Sequence, residues 1–218
     1  ETDKQEDSFD IKRKRIYEEG SQYQAEINND INHCIKKRHI EISKILDELI
    51  MQSPEDLKKA SGWAARSDNV SVYNAIVDGA EKKAAQLTAR QEEIQRKQIK
   101  SDNSAVEIRK LRKEMSELKS TLEKYTSLVN LLKESKPNTK KENITAAVES
   151  KLQQIADIQT QLDLDIRKIR EKENEATKSR QSRINALHKQ EAKDMKDSYQ
   201  EISKLVTKIK KTFEASLR

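Results

Sequence analysis

The chain has 218 residues, of which 38% are charged and 4% aromatic, and it carries a formal net charge of +6. Three glycines and two prolines are too few for the turns of a sandwich, a barrel or a βαβ series. No apolar run approaches the ~18 residues of a membrane-spanning helix. The abundance of Glu, Lys, Gln, Ile and Leu is typical of long helices, so we predict an all-α protein.

The first part of the chain predicts one long and one short helix. A flexible segment, 1–9, precedes a helix over 10–51, along which apolar residues recur at spacings of three, four and seven. Ser53, with a proline after it and two acids in the next turn, is a strong helix start. It opens a short helix over 54–61 that the following glycine should end. We expect Trp63, next to that glycine, to fill the junction between helices.

Two more long helices follow. The second long helix is predicted over 69–135, until a Lys-Pro-Asn sequence interrupts the pattern in a turn over 136–139. Thr139 with Glu142 three residues later forms a capping box. The last helix then covers 140–218, a stretch without glycine or proline.

The apolar positions of these two helices predict an antiparallel coiled-coil hairpin, because an apolar position of one helix then faces an apolar position of the other in every pair except Leu118–Gln159. The residue numbers of facing pairs sum to 277. The predicted pairs are Val129–Val148, Tyr125–Leu152, Leu122–Ile155, Leu118–Gln159, Met115–Leu162, Leu111–Ile166 and Ile108–Ile169. Polar stretches at 95–104 and 170–183 predict a waist in both helices.

Beyond the waist the pattern predicts a second seam, whose pairs sum to about 279. Its pairs are Leu87–Ala192, Ala84–Met195, Ala80–Tyr199 and Tyr73–Val206. The first helix should run beside this seam. The predicted architecture is therefore a single elongated domain over 10–218. It is an antiparallel helical rod with a three-helix bundle at its base and a two-stranded hairpin extending from the base.

The sequence lacks the motifs of common catalytic and metal sites. His33 and His39 are six residues apart, out of phase on a helix, and His188 stands three residues before Glu191, the reverse of the order in di-iron bundles. Cys34 is interpreted as a small buried hydrophobe. There is no glycine-rich phosphate loop. We therefore predict no enzymatic activity, no cofactor, no metal and no small-molecule substrate.

Basic clusters are the candidate contact sites for a protein partner or for anionic lipid headgroups. They lie near the start of the chain, at the predicted hairpin turn and near the end. The candidate residues are Lys12, Arg13, Lys14, Arg15, Lys133, Lys136, Lys140, Lys141, Lys204, Lys208, Lys210 and Lys211. Neither of the two densest clusters, the first and the last, continues into a nucleic-acid-reading pattern, so the sequence argues against nucleic acid as the partner.

The leading hypothesis is a non-enzymatic scaffold, a rigid coiled-coil rod that presents protein-binding surfaces along its length or at its tip. One alternative is a homodimer that binds membrane surfaces and their curvature, by analogy with the topology of BAR domains. A second is the helical rod of a secreted toxin or of a secretion-system component. The single cysteine favours the cytoplasm, whereas the missing start methionine leaves secretion open.

Overall fold

The computed structural model describes residues 8–99, 104–136 and 144–216. These residues form five α-helices and one short 3-10 helix: α1 Phe9–Leu49, α2 Pro54–Ala64, the 3-10 helix Ser67–Asn69, α3 Val70–Ile99, α4 Ala105–Glu134 and α5 Ala146–Ser216. No strand occurs among them, and none of their helices is both long and apolar enough to cross a membrane. The predicted all-α class is confirmed.

The first two helices begin where their capping signals stand. Phe9, expected in the flexible segment, is the first residue of α1, and residues 1–7 lie outside the described part of the chain. The hydroxyl of Ser53 accepts the N–H of Asp56 at 3.2 Å and caps α2. The end of α2 was predicted too early: Gly62 is buried inside the helix and the C-cap is Ala65.

The single helix expected over 69–135 is wrong, because the structure has two antiparallel helices there. The hydroxyl of Tyr73 donates to the carbonyl of Leu132 at 3.4 Å, and Arg90 forms an ion pair with Glu114 at 2.7 Å. Early residues of α3 thus lie beside late residues of α4, and late residues of α3 beside early ones of α4.

In place of the waist predicted over 95–104, α3 ends at Ile99 and α4 begins at Ala105. Ser104 caps α4, and its hydroxyl accepts the N–H of Glu107 at 3.3 Å. Ser, Asp and Asn side chains compete with helical hydrogen bonds and favour caps and turns, and the sequence over 101–104 is Ser-Asp-Asn-Ser. The other half of the expected waist, 170–183, lies inside the uninterrupted α5.

At the last boundary, most of the predicted turn over 136–139 lies outside the described residues, as does the capping box of Thr139 with Glu142. Within the described residues α5 begins at Ala146, later than the predicted start at residue 140.

The described residues divide into two compact units. Residues 32–166 form one of them, called here the five-helix unit because parts of α1 and α5 join α2, α3 and α4. Its core draws on all five helices, and Trp63 packs against it, partly buried. The buried members are Ile42, Leu46, Leu49, Ile50, Leu57, Ala60, Ala64, Val72, Ala75, Ile76, Ala80, Tyr125, Leu128, Val129, Leu132, Val148, Leu152 and Ile155.

This shared core overturns the predicted division into a base and a distal hairpin. Leu49 and Ile76, expected in the base, lie in the same core as Tyr125 and Leu152, expected in the hairpin. The error has a physical reason: α4 packs on α3, so residues next to the predicted hairpin turn return to the bundle. The pairing of α4 with α5 at a sum of 277, the single domain and the elongated rod stay predictions.

The other unit, called here the two-helix unit, comprises residues 1–31 and 167–218. In its described part, the beginning of α1 runs antiparallel to α5: Arg13 forms an ion pair with Glu191, and Glu19 with Arg183 at 2.6 Å. The side chains of Ile16, Ile27 and Ile184 are buried.

The predicted seam with a sum of about 279 is wrong. It required Met195, Tyr199 and Val206 to be buried, but all three are exposed. Two of their expected partners, Ala80 and Tyr73, instead belong to or pack against the core of the five-helix unit.

Candidate docking surface at the end of α5

The last part of α5 is exposed on every side. Arg13 lies opposite Glu191, and the first residue of α1 is four residues before Arg13. Because the two helices are antiparallel, the N-terminal end of α1 lies at the level of Met195. Each residue from Ala192 to Ser216 is exposed. At 3.6 residues per turn this stretch makes about seven turns. Nothing in the described part of the chain covers them.

A stripe of apolar side chains follows this exposed stretch in alternating steps of four and three. Its members are exposed by 57% to 74%, and they define what we call the α5 stripe: Met195, Tyr199, Ile202, Val206, Ile209 and Phe213. Steps of four and three are the a and d positions of a heptad repeat. Leu205, also exposed, borders the stripe on one side.

The size of the α5 stripe is unusual for a surface without a function. Fully burying a side chain of this kind removes roughly 100 Å² of apolar surface from water, so the six expose on the order of 600 Å² together. Monomeric proteins rarely expose contiguous apolar patches larger than a few hundred Å², and larger ones mark interaction sites.

Charges divide the exposed stretch into two halves. Residues 194–201 carry three acids and one lysine, whereas residues 204–211 carry four lysines and no acid. Those four are the candidate contacts Lys204, Lys208, Lys210 and Lys211, and all are exposed. On a helix of 3.6 residues per turn, Lys204, Lys208 and Lys211 lie roughly 140–180° around the helix from the centre of the stripe. Of these four lysines, only Lys210 flanks the stripe.

The first predicted cluster is engaged within the two-helix unit. The amine of Lys12 lies 5.5 Å from the centre of the Phe9 ring. Arg13 bridges Glu191 and Asp10, and hydrogen bonds to these carboxylates, that to Glu191 foremost, raise its pKa. Lys14 lies 3.9 Å from Glu18.

Arg15, the fourth member of that cluster, lines an open groove of about 650 Å³ between α1 and α5, together with Lys12, Arg183 and Leu187. The cluster is therefore part of a helix–helix contact more than a free basic surface.

Of the cluster predicted at the hairpin turn, the structure describes Lys133 and Lys136. Lys133 forms an ion pair with Glu81 of α3 at 2.7 Å. Lys136 lies on an open groove of about 870 Å³ beside α2. Lys140 and Lys141 lie outside the described residues.

Three side chains that could take part in chemistry, those of His39, Tyr125 and Cys34, are buried or half-buried in the fold. Burial, and then the charge of Lys82, lower the pKa of the half-buried His39. Tyr125 is fully buried and donates to Asp47, and burial, followed by that hydrogen bond, raises its pKa. Cys34 is half-buried. No group of three or more His, Cys, Asp or Glu suited to a metal occurs in the described part of the chain; the absence of enzymatic activity and of a cofactor stays a prediction.

No family model, no curated protein and no solved structure matches the chain. Among the described residues, the α5 stripe is the strongest candidate for a functional surface. Three of its residues, Met195, Tyr199 and Val206, were predicted in a seam within the chain, because the expected partner helix was placed beside them. Ile202, Ile209 and Phe213 were not predicted to have a role.

Proposed function

We propose that the chain is a non-enzymatic helical interaction module, in which the exposed end of α5 docks a partner by forming a coiled coil with a partner helix. The observation that carries this proposal is the exposure of six apolar residues in a and d positions on one uninterrupted helix. An exposed apolar patch of this size marks an interaction site, because a partner that covers it removes the apolar side chains from water.

The shape of the α5 stripe favours a helix as the partner. A strict sequence of a and d positions gives a narrow seam, and such a seam fits knobs into the holes of a facing helix. A small molecule would need a concave pocket, whereas the stripe runs along a convex helix surface.

A second candidate is an anionic membrane surface, and the four lysines over 204–211 favour it. An exposed helix with an apolar face and a cluster of lysines is typical of segments that lie in the headgroup region. Against this candidate, Lys204, Lys208 and Lys211 lie on the face away from the stripe. When the stripe is inserted, these three lysines would point towards water and away from the headgroups.

The proposal is tested by photocrosslinking from two faces of the same helix. A photoreactive phenylalanine analogue replaces Ile209, on the stripe, or Lys211, on the opposite face, in the cells that produce the chain. We expect covalent protein adducts from position 209 and few from position 211. Both variants should keep the helical circular dichroism of the parent.

Three results would count against docking to a protein. Equal adduct yields at the two positions would show that the stripe is not the contact face. No adducts at either position would show that nothing covers the helix. Adducts from position 209 to lipid alone would replace the protein partner with a membrane surface.

A further inference from the structure

We infer that the partner of the α5 stripe is a helix of another protein, and that this helix carries acidic residues along the edge that faces Lys196 and Lys210. This inference rests on the proposed function, because it gives the chemistry of the partner that docks at the same surface. Lys196 and Lys210 together are called here the lysine edge.

The heptad repeat of the α5 stripe places both lysines on one edge of the seam. In the repeat that has Tyr199 as an a position, the e positions from 192 to 216 are Lys196, Ser203 and Lys210, and the g positions are Ser198, Leu205 and Thr212. Side chains at e and g stand beside the seam and form the ion pairs that select the partner of a coiled coil. Every charged e or g position of this stretch is therefore a lysine, and both lysines lie on the e edge.

Neither residue of the lysine edge has an acidic partner in the described part of the chain. Both side chains are exposed, and no ion pair among the described residues includes either of them. Within α5, Lys196 has no acid three or four residues away on either side, and Lys210 has only Glu214, four residues after it. A lysine that precedes a glutamate by four residues is the weaker order for such a pair. Both ammonium groups are thus open to carboxylates of a partner.

The two edges of the stripe define what the partner helix must offer. Lys196 and Lys210 are fourteen residues apart, which is two heptads, so the partner's acids should stand two heptads apart as well, about 21 Å along the helix. On the other edge the exposed Leu205 extends the apolar surface and fits an apolar residue of the partner. The partner helix is therefore apolar in its a and d positions and acidic on the edge that faces the lysines.

A second copy of this chain does not supply these acids. Antiparallel pairing of two α5 ends sets the e positions of the copies side by side, so that lysine meets lysine or Ser203. Parallel pairing sets each e position beside the g position five residues earlier in the other copy, where Lys210 would meet Leu205. Like charges close together disfavour association.

A separate partner helix also has room beside α5. The N-terminal end of α1 lies at the level of Met195. A helix that covers only the stretch from Tyr199 to Phe213, about 21 Å long, stays clear of that level and still contacts five of the six stripe residues. Lys196, three residues before Tyr199, then lies beside the end of the partner.

Charge reversal on two faces of the same helix tests the lysine edge. The photoreactive analogue stays at position 209, and the chain carries either Lys196→Glu with Lys210→Glu or, as a control, Lys204→Glu with Lys211→Glu. Both double variants change the net charge equally, but only the first changes the lysine edge. We expect it to lower the yield of protein adducts about 10-fold, because two solvent-exposed contacts turn from attractive to repulsive. The control should keep the parent's yield, and circular dichroism should show that both variants stay helical.

Synthetic peptides test the chemistry of the partner directly. Two helical peptides of about three heptads share leucine at their a and d positions and carry glutamate in one case, lysine in the other, at every e and g position. By fluorescence anisotropy at low salt, we expect the parent chain to bind the glutamate peptide at least about 10-fold more tightly. The variant with a reversed lysine edge should prefer the lysine peptide. The control variant should keep the parent's preference, which separates the edge contact from attraction by net charge.

The outcomes separate this inference from the proposed function. Equal yields of protein adducts from the two charge-reversed variants, or no preference of the parent chain between the two peptides, overturn the acidic partner and leave the docking function standing. Adducts at position 209 that consist only of dimers of this chain also overturn the acidic partner. Adducts to lipid alone overturn both.

Discussion

Gly79 allows α3 to approach α1 closely in the core of the five-helix unit. A Cβ added at Gly79 would stand 2.7 Å from the Cδ1 atom of Leu46 and 3.6 Å from the Cγ2 atom of Ile42. Gly79 is buried and Leu46 is fully buried. We therefore expect Gly79→Ala to destabilise this unit, although alanine is the better helix former.

Two opposing effects set the magnitude. Replacing glycine by alanine inside a helix gains about 1 kcal/mol of stability. Carbon atoms in contact stand about 3.5–4.0 Å apart, so the added methyl group is about 1 Å too close to Leu46. Leu46 has no solvent side into which its methyl group can turn, and overpacking of this kind costs about 1–3 kcal/mol. The expected net loss is about 1 kcal/mol in the free energy of unfolding.

Urea denaturation followed by the fluorescence of Trp63 measures this effect. Trp63 is the single tryptophan of the chain, and it packs against the same core. The matched control is Leu46→Val, which removes the colliding atom. In that background Gly79→Ala should cost at least about 1 kcal/mol less than in the parent. A higher urea midpoint for Gly79→Ala alone, or the same change in both backgrounds, would refute the close approach as the reason for glycine.

Three further substitutions test separate contacts. Tyr125→Phe removes the hydrogen bond to Asp47 and should lower the free energy of unfolding by about 1 kcal/mol. Because the pKa of Tyr125 is raised, its contribution is fully present below the ordinary tyrosine pKa near 10 and is lost as the pH rises further. Parent and variant stabilities should converge above that pH, and a constant difference would contradict this assignment. Ser104→Ala removes the cap of α4 and should cost about 1 kcal/mol in urea denaturation, whereas no change would mean that the cap is dispensable. Gly20→Ala places a Cβ 3.2 Å from the Nε atom of the half-buried Arg180. Because this atom lies near the end of a flexible side chain that can shift by a few tenths of an ångström, thermal melting should show a gain of about 0.5–1 kcal/mol; a loss would mean that the contact of Arg180 with the Tyr23 ring fixes it.

Local signals in the sequence predicted the helices well because they act over a few residues. The spacing of apolar residues and the cap at Ser53 placed α1 and the start of α2. The break between α3 and α4 was missed because it contains neither glycine nor proline. Its signal was the pair Ser104 and Glu107, three residues apart, preceded by polar residues that favour caps.

The partner of each helix was harder to predict, because a heptad repeat fits any other heptad repeat in several registers. The sequence pattern paired Val206 and Tyr199 with residues of α3, yet both side chains are exposed. The same ambiguity affects the charged candidates. Lys133 was predicted as a contact residue at the hairpin turn, and it forms an ion pair with Glu81 because α4 packs on α3. Its role as a contact stays a prediction. Long-range pairing depends on three-dimensional packing that no local pattern records.

The two-helix unit joins parts of the chain that the ribosome makes far apart in time. Arg13 and Glu191 are separated by 178 positions, and at about 5–20 residues per second the interval between them lasts roughly 10–35 s. Until the end of that interval Ile16 and Ile27 lack the α5 side chains that later cover them, whereas residues 32–166 are all made within it. The five-helix unit can therefore fold during synthesis. A chain released before residue 167 would keep that unit and leave the apolar face of early α1 open to chaperones or to aggregation.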